Sequence, residues 1–127
     1  MVGHSKGGHE ARVNAFATGM NAILFNPATT TWRSTRRNGI PDNDVRNYGG
    51  NMTTYIVEGD VLHNIFGFIT DHEGTWGTLI MLERQYSSSG WRIFSRIGDS
   101  GRNHSMVAVL AALAQRYSFN DDGGMCE

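Results

Sequence analysis

The stretch VGHSKGGHEARVNAFATGMNAILFNPA, residues 2–28, decides the fold class. Residues 6 to about 18 predict a helix with Gly19 as a suitable C-cap, because apolar side chains recur there at helical spacing. The run AILF at 22–25 is typical of a strand buried on both faces, and such strands usually pair in parallel. Strand, helix and strand in this order predict an α/β fold with a small central sheet and flanking helices. The apolar positions expected on the buried helix face are Val13, Phe16, Ala17 and Met20.

Further strands are predicted downstream. TTYIV at 53–57 indicates a strand by its β-branched and aromatic content. WGTLIMLE at 76–83 and WRIFS at 91–95 indicate a second pair of strands, arranged as a hairpin. The intervening segment 61–68, VLHNIFGF, predicts either a short helix or an apolar flap.

The remaining segments complete a single-domain organisation over residues 1–120, followed by a polar tail at 121–127. Residues 28–51 predict a long polar loop, and loops of that length usually surround a functional site. Residues 105–117 are the clearest helix of the chain. Its expected apolar face consists of Met106, Val109, Leu110, Leu113 and Tyr117.

Composition and charge limit the possible partners. The chain has 127 residues and a formal net charge of -1, from 11 basic and 12 acidic side chains. Such a balance gives no general attraction to nucleic acid or anionic lipid. The one basic cluster, Trp32-Arg33 with Arg36-Arg37, is interpreted as a solvated loop in preference to a phosphate-binding patch. No stretch approaches about 18 apolar residues, so no transmembrane segment is expected.

The cysteine count and the start of the chain bear on localisation. Cys126 is the single cysteine and cannot form an intrachain disulfide, so no oxidising compartment is implied. The first residues contain no apolar run of signal-peptide type. The sequence as written therefore predicts a cytoplasmic protein, with delivery by another system as the open alternative.

The first chemically suggestive motif is Gly3-His4-Ser5-Lys6-Gly7, which fits G-x-S-x-G. In such a motif the serine lies on a sharp strand-to-helix turn that exposes its hydroxyl, and side chains two positions away would collide with the turn. The following helix directs its N-terminus, and the amide of Lys6, towards a developing oxyanion. The five-residue pattern alone is weak in a glycine-rich chain.

A serine nucleophile needs a base, normally a histidine. His4 and His9 are interpreted as packed or solvated side chains, whereas His63 and His72 are ambiguous. His104 ends a Gly/Asp/Ser loop and begins an amphipathic helix, a position from which its imidazole can reach the carboxyl edge of a sheet.

The base in turn needs an acid at the same sheet edge. Asp60 directly follows the segment YIVEG at 55–59, which is interpreted as a strand, and at this position a parallel sheet presents its functional groups. Glu58 is the competitor, and Asp71 and Glu73 are interpreted as solvated loop residues. Ser5, Asp60 and His104 follow the chain order of α/β-hydrolases.

At these residues the sequence resembles the lipase class 3 branch of the α/β-hydrolases, including bacterial phospholipase-like and lipase-like members. GHSKGG with its helix and AILFNPA resembles the nucleophile region of that family. YIVEGDVLHN resembles the segment with the acid, and HSMVAVLAAL resembles the histidine with the closing helix. The resemblance extends from Gly3 to about Tyr117. It implies the nucleophile, acid and base at Ser5, Asp60 and His104.

Two departures from the family pattern are visible. Family members have strands upstream of the serine and an upstream loop that donates a second oxyanion amide. Lys6 replaces a residue that is commonly apolar or small. The pattern is therefore that of a truncated, minimal α/β-hydrolase.

These observations predict a serine carboxylester hydrolase that acts on a small ester or a lipid through an acyl-enzyme. No metal or organic cofactor is expected, because no H-E-x-x-H or similar spacing occurs. The alternative is an inert hydrolase-fold remnant that serves as a binding or assembly module. A homo-oligomer is also expected, on the premise that the strand at 22–25 would otherwise have an unpaired apolar edge.

Overall fold

The computed structural model describes residues 1–60, 76–87, 99 and 101–117. Within this part of the chain, a four-stranded sheet has the order β1-β2-β3-β4, and every neighbouring pair is parallel. The predicted α/β class with a small central sheet and flanking helices is confirmed. The strands are β1 (Val2–His4), β2 (Ala22–Phe25), β3 (Met52–Val57) and β4 (Thr78–Leu82). The helices are α1 (Ser5–Thr18), α2 (Trp32–Arg37), α3 (Asp42–Arg46) and α4 (Met106–Arg116).

The three-residue strand β1 is fully paired with β2, in the register Val2↔Ile23, Gly3↔Leu24 and His4↔Phe25. The amide of Ile23 extends the pairing by donating to the carbonyl of Met1 at 2.8 Å. β2 is thus paired on both sides, and the expectation of an unpaired edge at 22–25 is wrong. The expectation of burial on both faces is also wrong, because Ile23 is 42% exposed.

Two hydrophobic clusters cover the sheet from opposite faces. One joins α1 to β2 and β3 through side chains such as Phe16, Leu24 and Met52. The other joins α4 to β3 and β4 through Val57, Leu82, Val109 and Ala112. Burial of each large aliphatic side chain contributes about 1.5–3 kcal/mol to folding. The sheet is therefore held from both sides, as in layered α/β folds.

The buried faces of the two long helices differ from the sequence prediction. In α1, Ala17 is exposed and Met20 lies beyond the helix end, because Gly19 adopts the left-handed C-cap conformation at φ 68°. In α4, Leu110 and Tyr117 are 59% and 45% exposed. The residues that α4 buries are Ala108, Val109 and Ala112. Small alanines allow the helix to approach the sheet closely.

The segment 28–51 is not a plain loop, since it contains the short helices α2 and α3. A capping box starts α2, in which Thr31 and Ser34 each bond the other's backbone amide. Arg36 forms a bidentate pair with Asp42 and so connects the two helices. The basic cluster is thus helical rather than a loop.

Several predicted features lie outside the described residues. They are the segments 61–68 and 91–95, and with them the second strand of the predicted hairpin, His63, His72, Asp71, Glu73 and Cys126. In the part of the chain that the structure describes, no helix is long and apolar enough to cross a membrane.

Candidate active site

Ser5 lies on an abrupt turn between β1 and α1. The strand ends at His4 and the helix begins at Ser5, with no residue between them. Ser5 has φ 54°, a positive value that side chains other than glycine seldom adopt. Such a conformation costs about 1–3 kcal/mol and persists where the surroundings enforce it. The turn leaves Ser5 partly exposed at the carboxyl edge of the sheet.

At two glycines of this turn the chain approaches neighbouring atoms so closely that no side chain would fit. A Cβ atom on Gly3 would lie 2.2 Å from the carbonyl oxygen of Gly7, and one on Gly8 would lie 2.8 Å from Cβ of Pro27. A Cβ atom on Gly7 would meet nothing within 4 Å. The prediction that both motif glycines avoid a collision is right for Gly3 and wrong for Gly7. The second close approach belongs to Gly8.

The structure brings Ser5, Asp60 and His104 together. Nε2 of His104 lies 2.8 Å from Oγ of Ser5, and Nδ1 of His104 lies 2.5 Å from Oδ2 of Asp60. Asp60 is 1% exposed and the His104 side chain is 19% exposed. The carboxylate is shielded from water, whereas the imidazole and the hydroxyl can be reached from solvent.

The partners of His104 define how its ring is protonated. A carboxylate only accepts hydrogen bonds, so in the neutral ring the tautomer that fits has its N–H at Nδ1, which donates a hydrogen bond to Asp60. Nε2 of the neutral ring is then an acceptor, and the hydroxyl of Ser5 can donate to it. Chemically, this arrangement can take a proton from the serine and stabilise the resulting imidazolium.

The competing acid, Glu58, is exposed in the turn after β3, whereas Asp60 is buried next to His104. Gly59 between them has φ 81°, which turns the chain back towards the site. A Cβ atom there would lie 2.8 Å from Nε of Arg84 and 3.1 Å from Nδ2 of Asn103. The glycine therefore allows the acid-bearing turn to pack closely against the segment before His104.

Residues 101–103 are helical, so the expectation that a Gly/Asp/Ser loop precedes His104 is wrong for these residues, and the loop that carries His104 consists only of His104 and Ser105 before α4. Two buried asparagines hold this loop. Asn26, which follows β2 with φ 40°, accepts from the amide of Val57 at 2.8 Å and donates to the carbonyl of Asn103 at 2.9 Å. The Asn103 side chain accepts from the amides of Gln85 and Tyr86 and donates to the carbonyl of Tyr86. Both asparagines are 1% exposed. The ends of β2, β3 and β4 are thus connected to this loop.

His4 provides a further contact to the same loop. Its Nε2 lies 2.7 Å from the backbone oxygen of His104, and the two ring centroids are 5.2 Å apart. A carbonyl oxygen only accepts, so Nε2 of His4 must carry a proton and donate it. His4 is therefore packed against the loop of the candidate base, and not solvated.

His9 and Lys6 lie on the first turns of α1. Nδ1 of His9 lies 2.9 Å from Oγ1 of Thr30, and burial, with the charge of Arg12, lowers the pKa of His9 below its usual value. The Lys6 side chain is 88% exposed and lies 3.6 Å from Glu10. The backbone amide of Lys6 belongs to the first turn of a helix, where amides have no intrahelical acceptor.

Sequence reasoning missed three residues that position the site: His4, Asn26 and Asn103. The available signals were local. An asparagine that closes a buried strand favours a left-handed conformation, and Asn103 adjoins the candidate base. The hydrogen-bond partners of the Asn26 side chain lie 31 or more residues away, and those of the Asn103 side chain lie 17 or more residues away. No local pattern therefore identifies these partners.

Among the described residues, no group of three or more His, Cys, Asp or Glu side chains could hold a metal ion. Comparison of the chain with family models, curated proteins and solved structures finds no match.

Proposed function

We propose that the chain is a serine carboxylester hydrolase with Ser5 as nucleophile, His104 as base and Asp60 as the acid that orients it. One observation carries the proposal: His104 lies at hydrogen-bond distance from both Ser5 and Asp60, through opposite ring nitrogens. This is the relay that serine hydrolases of several unrelated folds use. The positive φ of Ser5 gives independent support, since serine nucleophiles of α/β-hydrolases lie on strained turns.

In the first half of the reaction, Oγ of Ser5 attacks the ester carbonyl while its proton passes to Nε2 of His104. The tetrahedral intermediate collapses when the carbon–oxygen bond to the alcohol breaks and His104 returns the proton to the leaving oxygen. Asp60 keeps the ring in the required tautomer and stabilises the imidazolium without taking the proton itself. The product of this half is an acyl group on Ser5.

In the second half, water replaces the alcohol. His104 takes a proton from water, the resulting hydroxide attacks the acyl carbonyl, and the proton returns to Oγ of Ser5 as the acid is released. The amide of Lys6 is proposed to donate to the oxyanion in both halves, because it lies at the start of α1 next to the nucleophile.

A minimal α/β-hydrolase related to the lipase class 3 branch is the proposed fold family. The supporting observations are the parallel sheet, the strand-to-helix serine turn and the acid in the turn after β3, three residues beyond its end. A small ester or a lipid is the corresponding substrate class. No metal or organic cofactor has a role in this mechanism.

The test is hydrolysis of nitrophenyl esters of increasing acyl length by the purified chain and by Ser5→Ala and His104→Ala. Each substitution is expected to lower kcat by about 10³-fold or more, with the fold intact by circular dichroism. Glu10→Gln, on the exposed side of α1, is the matched control and is expected to keep wild-type turnover. Wild-type hydrolysis by Ser5→Ala would refute the nucleophile assignment.

Self-association is a further part of the proposal. β1 lies at an end of the described sheet and Val2 is 69% exposed, and edges of this kind pair readily with other strands. Light scattering of the purified chain is expected to show a dimer or a higher even-numbered assembly. A monodisperse monomer at micromolar concentration would contradict this expectation.

A further inference from the structure

A concave region lies at the amino-terminal ends of the strands, whereas Ser5 lies at the carboxyl-terminal ends. Its cavity has a volume of about 530 Å³, within the range of small-molecule sites. Tyr48 and Gly50 come four and two residues before β3, and Trp76 and Gly77 come directly before β4. The amino ends of parallel strands share one edge, and the six residues of β3 span about 20 Å. The cavity is therefore separated from the candidate active site by the length of a strand.

Aromatic rings form the walls of this cavity. Trp32 and Trp76 meet edge to face with their centroids 6.1 Å apart. Phe16 supports them from within the core, in edge-to-face contact with Trp76 and Tyr48 at 5.3 Å each. The hydroxyl of Tyr48 donates to the carbonyl of Met20 at 2.7 Å, which fixes that ring. The wall of the cavity is therefore a set of aromatic rings that contact one another.

The cavity has a charged side as well as apolar walls. Arg46, the last residue of α3, lines it and lies 5.6 Å from the Trp32 ring centroid, in cation–π geometry. Arg46 is an exposed residue, so an incoming anion can reach it. Among the described residues that line the cavity, Arg46 is charged and none is acidic. The nearby Asp42 is engaged by Arg36 on α2.

We propose that this cavity binds a small, flat aromatic molecule that carries one negative charge, such as an aromatic carboxylate. The ring would stack among Trp32, Trp76 and Tyr48, and the carboxylate would pair with Arg46. Edge-to-face and offset contacts favour an aromatic body over an aliphatic one of equal area. A guanidinium matches a planar carboxylate by two parallel hydrogen bonds. The site is independent of the proposed ester hydrolysis.

The experiment uses 2-naphthoate and its uncharged isostere 2-naphthamide as probes, with calorimetry and the indole N–H signals of the tryptophans as readouts. Saturable binding of 2-naphthoate is expected, with shifts of the Trp32 and Trp76 signals. Binding is expected to weaken about tenfold or more in Arg46→Gln and about as much when 2-naphthamide replaces 2-naphthoate. Arg37→Gln, an exposed arginine of α2 outside the cavity lining, is the matched control and is expected to bind as the wild type does.

The same titration with Ser5→Ala locates the site. Unchanged binding in this variant supports a site away from the serine, whatever the chain does to esters. Absence of saturable binding up to the solubility of the probe would overturn the proposal. Equal binding of the two probes, or equal affinity in Arg46→Gln and the wild type, would overturn it too. Trp32→Leu, at a half-buried position, provides a second variant if Arg46→Gln fails to fold.

Discussion

The serine turn (residues 3–8) and the histidine loop (residues 104 and 105) lie next to each other, but different kinds of contact hold them in place. The serine turn is held by backbone contact: Gly3 lies against the Gly7 carbonyl and Gly8 against Pro27. The histidine loop is held by side-chain hydrogen bonds, which His4 and Asn26 make to two consecutive carbonyls of residues 103 and 104. One half of the site depends on the absence of side chains and the other half on their presence.

This difference determines what each half tolerates. A Cβ atom added to Gly3 would lie only 2.2 Å from the Gly7 carbonyl oxygen, so this approach has no room for one additional carbon and its disruption is close to all or none. A hydrogen-bond network can lose one member while the others persist, so its disruption is graded. The two halves also meet, because His4 is the residue immediately before the nucleophile and bonds the backbone of the base.

The largest expected effect is on the serine turn. Gly3→Ala would place a methyl group inside the Gly7 carbonyl, and we expect a loss of more than about 3 kcal/mol or no folded protein. Gly7→Ala is the matched control in the same motif. It has open space and lies inside α1, so we expect it to be neutral or to stabilise by about 0.5–1 kcal/mol. Urea unfolding of both variants measures this, and equal costs would contradict the steric account.

The next effect is on the histidine loop. Asn103→Ala removes three hydrogen bonds and leaves the amides of Gln85 and Tyr86 without this acceptor. We expect a loss of about 2–3 kcal/mol and a fall in ester turnover that exceeds any change in KM. Asn38→Ala, which removes one exposed hydrogen bond, is the control and should cost less than about 1 kcal/mol. Chemical denaturation and steady-state kinetics test both, and similar costs for the two variants would show that the network has no special weight.

A smaller effect is expected where the two halves meet. His4→Leu removes the donor to the His104 carbonyl, and kcat is expected to fall about tenfold with little change in stability. His4→Gln keeps an N–H donor near the same place, so it should restore part of that loss. His4 acts here as a positioning residue, so KM should stay near its wild-type value in both variants. Equal kcat values for His4→Leu and the wild type would show that the contact is only structural.

The smallest expected effect is a pH dependence of stability that arises from His9 on α1. Folding lowers the pKa of His9, so the folded chain binds fewer protons than the unfolded chain just below the usual histidine pKa of about 6.5. The contribution of His9 to the free energy of unfolding is therefore expected to be fully present above that pH and to be lost as the pH drops through it. The stability of His9→Gln, measured as its urea midpoint, should fall less than that of the wild type between about pH 8 and about pH 5.5. Identical slopes for the two proteins would exclude this role of His9.

The local features of the fold were predictable from sequence. The helix that starts near Ser5, the strand at 53–57 and the helix after Ser105 each have a periodic or compositional signal, and the structure contains all three. The position of each residue next to a predicted strand or helix also indicated Ser5, Asp60 and His104, which lie together in the structure. Each of the three follows a strand or precedes a helix, and such positions can be inferred from local pattern.

Long-range pairing was not predictable. No residue near AILF indicates that the three-residue strand β1 pairs with the free side of β2, since this pairing depends on the register of β1. The roles of Asn26 and Asn103 depend on partners in other elements, and Gly7 and Gly8 are distinguished only by what packs against them. The apolar faces of α1 and α4 were predicted in part: Val13, Phe16 and Val109 are buried as expected, but alanines that the pattern did not single out complete both buried faces.

We infer that His104 activates Ser5, and labelling with a fluorophosphonate tests this inference because the reagent reports an activated serine whatever the natural substrate is. We expect addition of one phosphonyl group to the peptide that contains Ser5, with no labelling of Ser5→Ala. We also expect that His104→Ala, which keeps the hydroxyl but lacks the base, labels about 10³-fold more slowly. Absence of labelling in the wild type, as an inert fold remnant would give, or equal rates for the wild type and His104→Ala, would contradict the inference.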